Sequence, residues 1–433
     1  MKKICITGTK GKTTVSAVLA QVLAVLEPEV LKVDTAGVYL NGELKLSKSD
    51  SQRIWDVVPT VAPGRFLYLM NDGKDLDGKH HGEIPGVAVL EASLGCGTLS
   101  GLGYYGHDIG IFTNVFEDHL GSRADLQTRA DIGQSKRFVF SRINQNGTAV
   151  FNADDDIVTS LLHECKDTVN LLPFGLNFQH FDLEKHLAAG GNALTLDDQQ
   201  NVVLHKGKET QVLFDAKDVN WTFQAAYEPS LYNLLAITAA LLAYCEMSLP
   251  EKVKKALLES KLDPSGGRLV LMKNTAGVTV LGDYAHEKQS LKTIAQLAHE
   301  LTASPDNQVI GVLRLTWDRT ESLIRETAHF IADDYDQFVI YDKIDGHWRQ
   351  PSSRFRTGQR EFTQEVGKIS KLFSDALIEK RGEEVVTRIL REDEAIAEAA
   401  KLAKPGDVVV HIVNDDIQRS LDFLTKSFQA ELV

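Results

Sequence analysis

The amino-acid sequence predicts an α/β protein of two domains, each built on a mostly parallel sheet. Three observations carry this expectation. The chain of 433 residues is longer than one ordinary core supports. Strand-like apolar runs alternate with segments of helical periodicity along its length. Those runs are short and continuous, as strands covered on both faces should be.

The first run, "KKICIT", reads as a strand, and after the loop "TGTKGKTT" Val15, Val18, Leu19, Val22, Leu23 and Leu26 repeat at helical spacing. "GVAVLEAS" (86–93) and "DIGIFTNV" (108–115) are further strands whose polar ends would share the edge occupied by the opening loop. "ALTLDDQQNVVLHKGKETQVLFD" (193–215) alternates around Asp197-Asp198 and predicts an antiparallel excursion, and "LYNLLAITAALLAY" (231–244) predicts a helix. Pro and paired Gly in "DPSGGR" (263–268) mark the boundary, which divides the chain into 1–264 and 265–433. Beyond it, strand-like "VTVLGDYA", "QVIGVLRL", "QFVIYD" and "GDVVVHIV" alternate with helix-like "SLKTIAQLAHELT" and "ESLIRETAHFIADD", and a last helix follows.

Composition narrows the function. A hydrophobic fraction of 43% with 25% charged residues is that of a globular protein, and a formal charge of -13 argues against nucleic acid as a partner. An anionic ligand would need a local basic pocket. Cys5, Cys96, Cys165 and Cys245 lie far apart, so neither a zinc knuckle nor a disulfide framework is indicated. Lys2 and Lys3 do not open a signal peptide, because the loop interrupts the apolar run, and no stretch approaches the ~20 apolar residues of a membrane span. The expectation is a cytoplasmic protein with no membrane partner.

The loop between the first strand and helix carries the chemistry. Glycines at 8 and 11 let backbone N–H groups converge on phosphate oxygens, and the helix dipole favours negative charge there. Lys12 would reach the β- and γ-phosphates and the Thr13 hydroxyl would ligate magnesium, with Thr9, Lys10 and Thr14 completing the loop. Ile6 stands where the full GxxxxGK[ST] template has its first glycine. A bare tight turn accounts for the glycines but not for GKTT immediately before an amphipathic helix. Glu91, at a strand end, is a candidate second oxygen ligand for magnesium; the alternative is a paired structural carboxylate.

"TGTKGKTT" resembles the TGTxGKTT loop of the Mur ligase superfamily, which includes the muramyl peptide ligases, folylpolyglutamate synthetase and the ligase half of cyanophycin synthetase. "DTAGVYLNGEL" (34–44), "VLEASLGCGTLSGLGY" (89–104), "DIGIFTNVFEDHLG" (108–121), "FNADDD" (151–156) and "GDYAH" (282–286) follow in the family's order, and the first two most resemble the cyanophycin synthetase branch. The resemblance implies a P-loop parallel-sheet ATPase domain followed by a smaller, Rossmann-like α/β ligase domain. It implies ATP and Mg2+ as cofactors, with His119 joining Glu91 and Thr13 at the metal. It also offers Lys136 as a carbamylated lysine, against the alternative of a plain surface lysine. Asn233 would hold adenine, against the alternative of a helix-start asparagine, with Ser230 replacing the first asparagine of the usual pair. Arg268 would contact phosphate and Asp283 ribose, although Glu287-Lys288 replace the usual Asn-Pro after "DYAH". Asn152 and Asp154 to Asp156 read as a structural turn.

In the second domain the superfamily often selects its amine substrate, and there Arg319 and the loop-like segment with Arg349, Arg354, Arg356 and Arg360 are candidates for binding a carboxylate or phosphate. A solvated basic loop is the alternative. Only seven residues precede Gly8, where the muramyl ligases carry a UDP-sugar domain, so a UDP-linked precursor is not expected. The expected activity is ADP-forming amide ligation between a carboxylate of an amino acid or peptide and an amine. A nucleotide-binding partner protein without ligase activity and a small-molecule kinase are the alternatives, and an oligomer is compatible with the sequence.

Overall fold

Alternation along the first strand, β1 (Lys2–Thr7), shows how its sheet is covered. Ile4 and Ile6 enter one apolar cluster, with Val15, Val18, Leu19 and Val22 of the helix Lys12–Leu23 and Leu234, Leu235 and Leu241 of the helix Glu228–Tyr244. Cys5, between them, enters a second cluster with Phe112, Val139, Phe140 and Phe151 on the opposite face. Period-two alternation with both sides apolar leaves no solvent face, which is why the run reads as continuous. The computed structural model describes residues 1–55, 58–71, 86–117, 124–262, 269–285, 287–316, 319–342, 365–414 and 416–432.

The chain divides into two compact units, Met1–Leu262 and Asp263–Val433. In the first, β2 (Val30–Val33), β3 (Gly37–Leu40), β4 (Glu43–Ser47), β5 (Val87–Glu91), β6 (His107–Phe112), β7 (Ile143–Asn152), β8 (Asn170–Phe174), β9 (Asn192–Leu196), β10 (Asn201–Lys206) and β11 (Glu209–Asp215) join β1. The order is β11-β10-β9-β8-β7-β6-β1-β5-β2-β3-β4. From β9 to β2 the pairs are parallel. β9, β10 and β11 form the antiparallel excursion expected from the sequence. A second antiparallel edge, β3–β4, was not foreseen, although Asn41-Gly42 with φ of 52° and 80° is a type I′ hairpin signature. Chain order reverses about β1, so the crevice beyond its carboxyl end is where an open α/β sheet binds ligands.

The second unit contains β12 (Val270–Asn274), β13 (Thr279–Asp283), β14 (Val309–Leu313), β15 (Gln337–Ile340), β16 (Val386–Arg388), β17 (Val408–Ile412) and β18 (Ala430–Leu432), in the order β16-β15-β14-β17-β13-β12-β18. β13, β17, β14, β15 and β16 run parallel, as the rhythm predicts, and β12 and β18 add an antiparallel edge. No helix among the described residues is long and apolar enough to cross a membrane.

His107, which opens β6, is fully buried, with Nε2 2.8 Å from the Val139 carbonyl. Desolvation, only partly offset by that hydrogen bond, lowers its pKa from 6.5 to about 4. The folded chain therefore holds a neutral imidazole where the unfolded chain takes up a proton. Stability is expected to be fully present above about pH 6.5 and to fall as the pH drops toward 4. Denaturant unfolding across that window checks this, with His107→Gln flattening the slope; an unchanged slope in the variant would remove His107 as its source.

Candidate active site

The loop between β1 and the helix Lys12–Leu23 is held by the end of the neighbouring strand. Asn114, just past β6, binds it three ways: its carbonyl accepts from Thr9 N at 2.9 Å, its Oδ1 from Lys10 N at 2.8 Å, and its Nδ2 donates to the Lys10 carbonyl at 3.3 Å. The Thr113 hydroxyl donates to the same carbonyl at 2.7 Å, and the Thr9 hydroxyl accepts from Phe116 N at 3.0 Å. Neither Thr113 nor Asn114 was singled out as a site residue, although both lie within the quoted "TNV". Their signal was their place at a strand end; their partner was invisible without the fold.

Two glycines make this fit possible. A Cβ on Gly8, at φ 145°, would lie 2.0 Å from Thr113 Oγ1, and one on Gly11, at φ 83°, would lie 2.2 Å from Asn233 Oδ1. Gly11 is also the N-cap, no side chain caps this helix, and its first turn carries no acidic residue. The helix N-terminus thus points its N–H groups and positive dipole end into the loop. Lys12 Nζ donates to the Thr9 carbonyl at 2.9 Å, which keeps its ammonium over the loop. Gly11→Ala is expected to strain the backbone and displace Asn233, weakening adenine-nucleotide binding by about tenfold or more. Calorimetric titration with ADP reads this; wild-type affinity would show that the contact is relaxed at no cost.

Asn233 itself lies in the second turn of the helix Glu228–Tyr244, whose N-cap is Tyr227. The helix-start reading of this asparagine is therefore corrected: the side chain faces the phosphate loop. Ser230, three residues earlier, is buried and donates to the Tyr227 carbonyl at 2.6 Å.

Glu91 closes β5 in the parallel neighbour of β1, paired with Ile6, and is 1% exposed. Its Oε2 accepts from the Thr13 hydroxyl and its Oε1 from the Thr35 hydroxyl, each at 3.0 Å. The carboxylate is therefore satisfied by hydroxyls and joins the phosphate loop to the turn after β2. Asp34 shapes that turn, accepting from Ala36 N at 2.9 Å and Gly37 N at 3.1 Å while pairing with Lys32 at 2.6 Å. Thr35 was missed in the sequence, where only the D-x-x-G turn pattern hinted at it.

Lys136 ends the helix Arg129–Lys136 and is 3% exposed, which overturns its reading as a plain surface lysine. Burial raises the Cys96 thiol well above its usual range; neighbouring Cys5 adds to this, the Lys136 ammonium opposes it, and Glu91 adds weakly. Cys96, Lys136 and Glu91 thus share one electrostatic neighbourhood. Gly97, in the π-helical turn Cys96–Ser100, permits it, since a Cβ there would meet the Ser135 carbonyl at 1.6 Å. Cys5 and Cys96 are buried free thiols, as expected of apolar fillers in a core.

The donor set suits a hard divalent cation: a threonine hydroxyl and a carboxylate beside a phosphate loop leave the remaining positions to phosphate oxygens and water, as magnesium prefers. Among the described residues no group of three or more His, Cys, Asp or Glu could hold a metal ion alone. His119 lies outside the described residues, as do Arg268, Arg349, Arg354, Arg356 and Arg360. In the second unit, Asp283 ends β13 with Oδ2 accepting from Leu269 N at 2.8 Å, and Arg319 donates from Nε to the Thr316 hydroxyl at 3.2 Å. Arg314, unremarked in the sequence, is fully buried at the same carboxyl edge; it donates to the Val413 carbonyl at 2.6 Å and stacks on Tyr284.

Residues 6–241 match the Mur ligase middle domain, and residues 267–412 the glutamate ligase domain of Mur ligases. The chain belongs to the Mur ligase family. Among curated Mur ligase relatives, cyanophycin synthetase of Nostoc sp. is 24% identical over 423 residues, covering 97% of this chain and 42% of that protein. The chain thus spans less than half the length of that relative. The UDP-N-acetylmuramoyl-L-alanyl-D-glutamate–2,6-diaminopimelate ligase of Lactiplantibacillus plantarum is 25% identical over 319 residues, 72% of this chain and 57% of that one. Two solved structures share the Mur ligase fold. FolC of E. coli, in complex with DHPP and ADP, has a TM-score of 0.61 at 14% identity, covering 98% of this chain and 89% of that one. MurF ligase of Thermotoga maritima, in complex with ADP, has a TM-score of 0.58 at 14% identity, covering 99% and 80%.

Proposed function

We propose that this chain is an ATP-dependent, ADP-forming amide-bond ligase that joins a carboxylate of an amino acid or peptide to an amine. The observation that carries the reading is the hydrogen bond from Thr13 to Glu91, which couples a phosphate loop to a carboxylate at the adjoining strand end. A bare nucleotide-binding module assigns no role to that buried carboxylate; a kinase would use it on the same metal, and membership of the Mur ligase family favours ligation over phosphorylation. Family membership supports the same reading, as do the ADP complexes of two proteins of this fold.

An oxygen of the substrate carboxylate attacks the γ-phosphorus, the bond to the β,γ-bridging oxygen breaks, and ADP leaves. The amine then attacks the acyl carbon, phosphate departs, and the nitrogen loses a proton to solvent. Little covalent work falls to the protein. Backbone N–H groups of Gly11 to Thr14, at the helix N-terminus, cradle the phosphates, Lys12 compensates charge moving onto the β-phosphate, and Asn233 orients the nucleoside. Thr13 and Glu91, with His119, would hold magnesium, which when bound neutralises the phosphates and draws the acceptor carboxylate to them. Carbamylation of Lys136 would add a carboxylate-like group to that neighbourhood. Arg268 and Asp283 would engage phosphate and ribose, and Arg319, Arg349, Arg354 and Arg356 the carboxylate of the incoming amine substrate. Small molecules rather than nucleic acid are the partners.

The deciding experiment follows ADP release from ATP and Mg2+ as amino acids and dipeptides are added singly and in pairs. Ligation is expected to require a carboxylate with an amine and to yield the amide. ATP-dependent phosphorylation of an alcohol would make the protein a kinase, and nucleotide binding without turnover a binding module; either result rejects the proposal.

A further inference from the structure

The run Asp154-Asp155-Asp156, which reads as a turn, attaches to two separate parts of the fold, Asp155 and Asp156 to one and Asp154 to the other. Asp155 is buried; its Oδ2 accepts from Val115 N at 2.7 Å, and its Oδ1 accepts from Ile157 N and Val158 N at 3.0 Å. Val115 directly follows Thr113 and Asn114, the two residues that hold the phosphate loop. Asp156 pairs with Arg129 at 2.9 Å, whose Nε donates to the Val115 carbonyl at 3.0 Å, so both sides of that peptide segment are fixed.

Asp154 points elsewhere. It accepts from Leu176 N at 2.6 Å, from Asn177 N at 3.1 Å and from the Tyr232 hydroxyl at 3.0 Å. Tyr232 is adjacent to Asn233, whose amide oxygen abuts Gly11. A helix is a rigid body over one turn, so a bond at Tyr232 sets the height and rotation of Asn233 relative to the loop. The Tyr232 hydroxyl is 78 residues from its acceptor and belongs to no local turn or cap.

We propose that Asp154 and Asp155 are positioning residues that set the two halves of the nucleotide cleft separately: Asp155 braces the strand end that grips the phosphate loop, and Asp154, through Tyr232, braces the helix turn that presents Asn233. This rests on the nucleotide-binding part of the ligase reading. Both aspartates are engaged by protein partners, Asp155 by backbone N–H groups and Asp154 by backbone N–H groups and the Tyr232 hydroxyl. The consequence is that phosphate affinity and nucleoside affinity are separable by mutation outside the groups that touch the ligand.

The test uses the full chain with two probes, Mg-ATP and Mg-tripolyphosphate, titrated calorimetrically. The first reports on both halves of the cleft and the second on the phosphate loop alone. Tyr232→Phe is expected to weaken Mg-ATP binding about fivefold, the value of one hydrogen bond, while Mg-tripolyphosphate affinity stays within about twofold. Asp154→Asn should shift the two probes in the same pattern and serves if Tyr232→Phe does not fold. Asp155→Asn should weaken both probes together. Parallel weakening of both probes in Tyr232→Phe, in step with a lowered Tm, would mean a merely structural bond and overturn the proposal. A loss of ATP affinity in Asn233→Ala with none in Tyr232→Phe or Asp154→Asn overturns the brace alone. No loss in any of them overturns the nucleotide reading of this helix, and the proposal with it.

Discussion

Lys12→Ala is expected to lower the rate of ADP formation by about a thousandfold or more while leaving the fold intact. The physical reason is charge. The chain carries a net charge of -13, so a triphosphate approaches a repulsive molecule and depends on local compensation. The Lys12 ammonium supplies it, set over the loop by the Thr9 carbonyl at 2.9 Å. As the β,γ-bond breaks, negative charge builds on the leaving ADP, and a fixed cation stabilises that state more than the ground state. Lys12 is only partly buried at the first position of its helix, where alanine is tolerated, so the Tm should barely change. Steady-state ADP release with the accepted substrate pair checks it. Wild-type turnover would remove the phosphate loop from the chemistry.

Glu91→Gln is expected to separate binding from chemistry. Glutamine keeps the volume of the side chain and an acceptor for one of the two threonine hydroxyls, so the β5 end should stay in place and ADP affinity should hold within about threefold. What is lost is the negative charge that a magnesium ion beside the γ-phosphate requires. Turnover should fall on the order of a hundredfold, with a raised Mg2+ requirement. Burial at 1% makes this a demanding position: a carboxylate held there by two hydroxyls costs desolvation energy that packing alone gives no reason to bear. If Glu91→Gln turns over like the wild type, the metal-ligand assignment is wrong and the carboxylate serves only to join Thr13 to Thr35.

The second result concerns the geometry that the sequence left open. Glu91 stood out as a polar residue ending an apolar run, which allowed two readings. The structure shows its partners, because Thr13 and Thr35 reach it from elements 78 and 56 residues away in sequence. Asn114 and Thr113 went unnoticed for the same reason. Their place at a strand end put them on the loop's edge but named no partner, and the grip of Asn114 on Thr9 and Lys10 exists only because β6 lies beside β1. Burial takes Lys136 off the surface and the helix Glu228–Tyr244 places Asn233 past its first turn, and neither position follows from residues nearby in sequence. The β3–β4 hairpin was missed although Asn41-Gly42 marks it locally, an error of reading rather than of information.

Periodicity, the spacing of GKTT after a strand, and the order of the motifs were sufficient by themselves to determine an α/β chain with a phosphate loop, because each depends on residues within a few positions of one another. Tertiary structure alone decided which strand ends converge on that loop, which glycines must lack a side chain, and which aspartates brace which wall of the cleft. These are contacts between segments distant in sequence, and they exist only after parallel strands have been brought into register and both faces of the sheet buried.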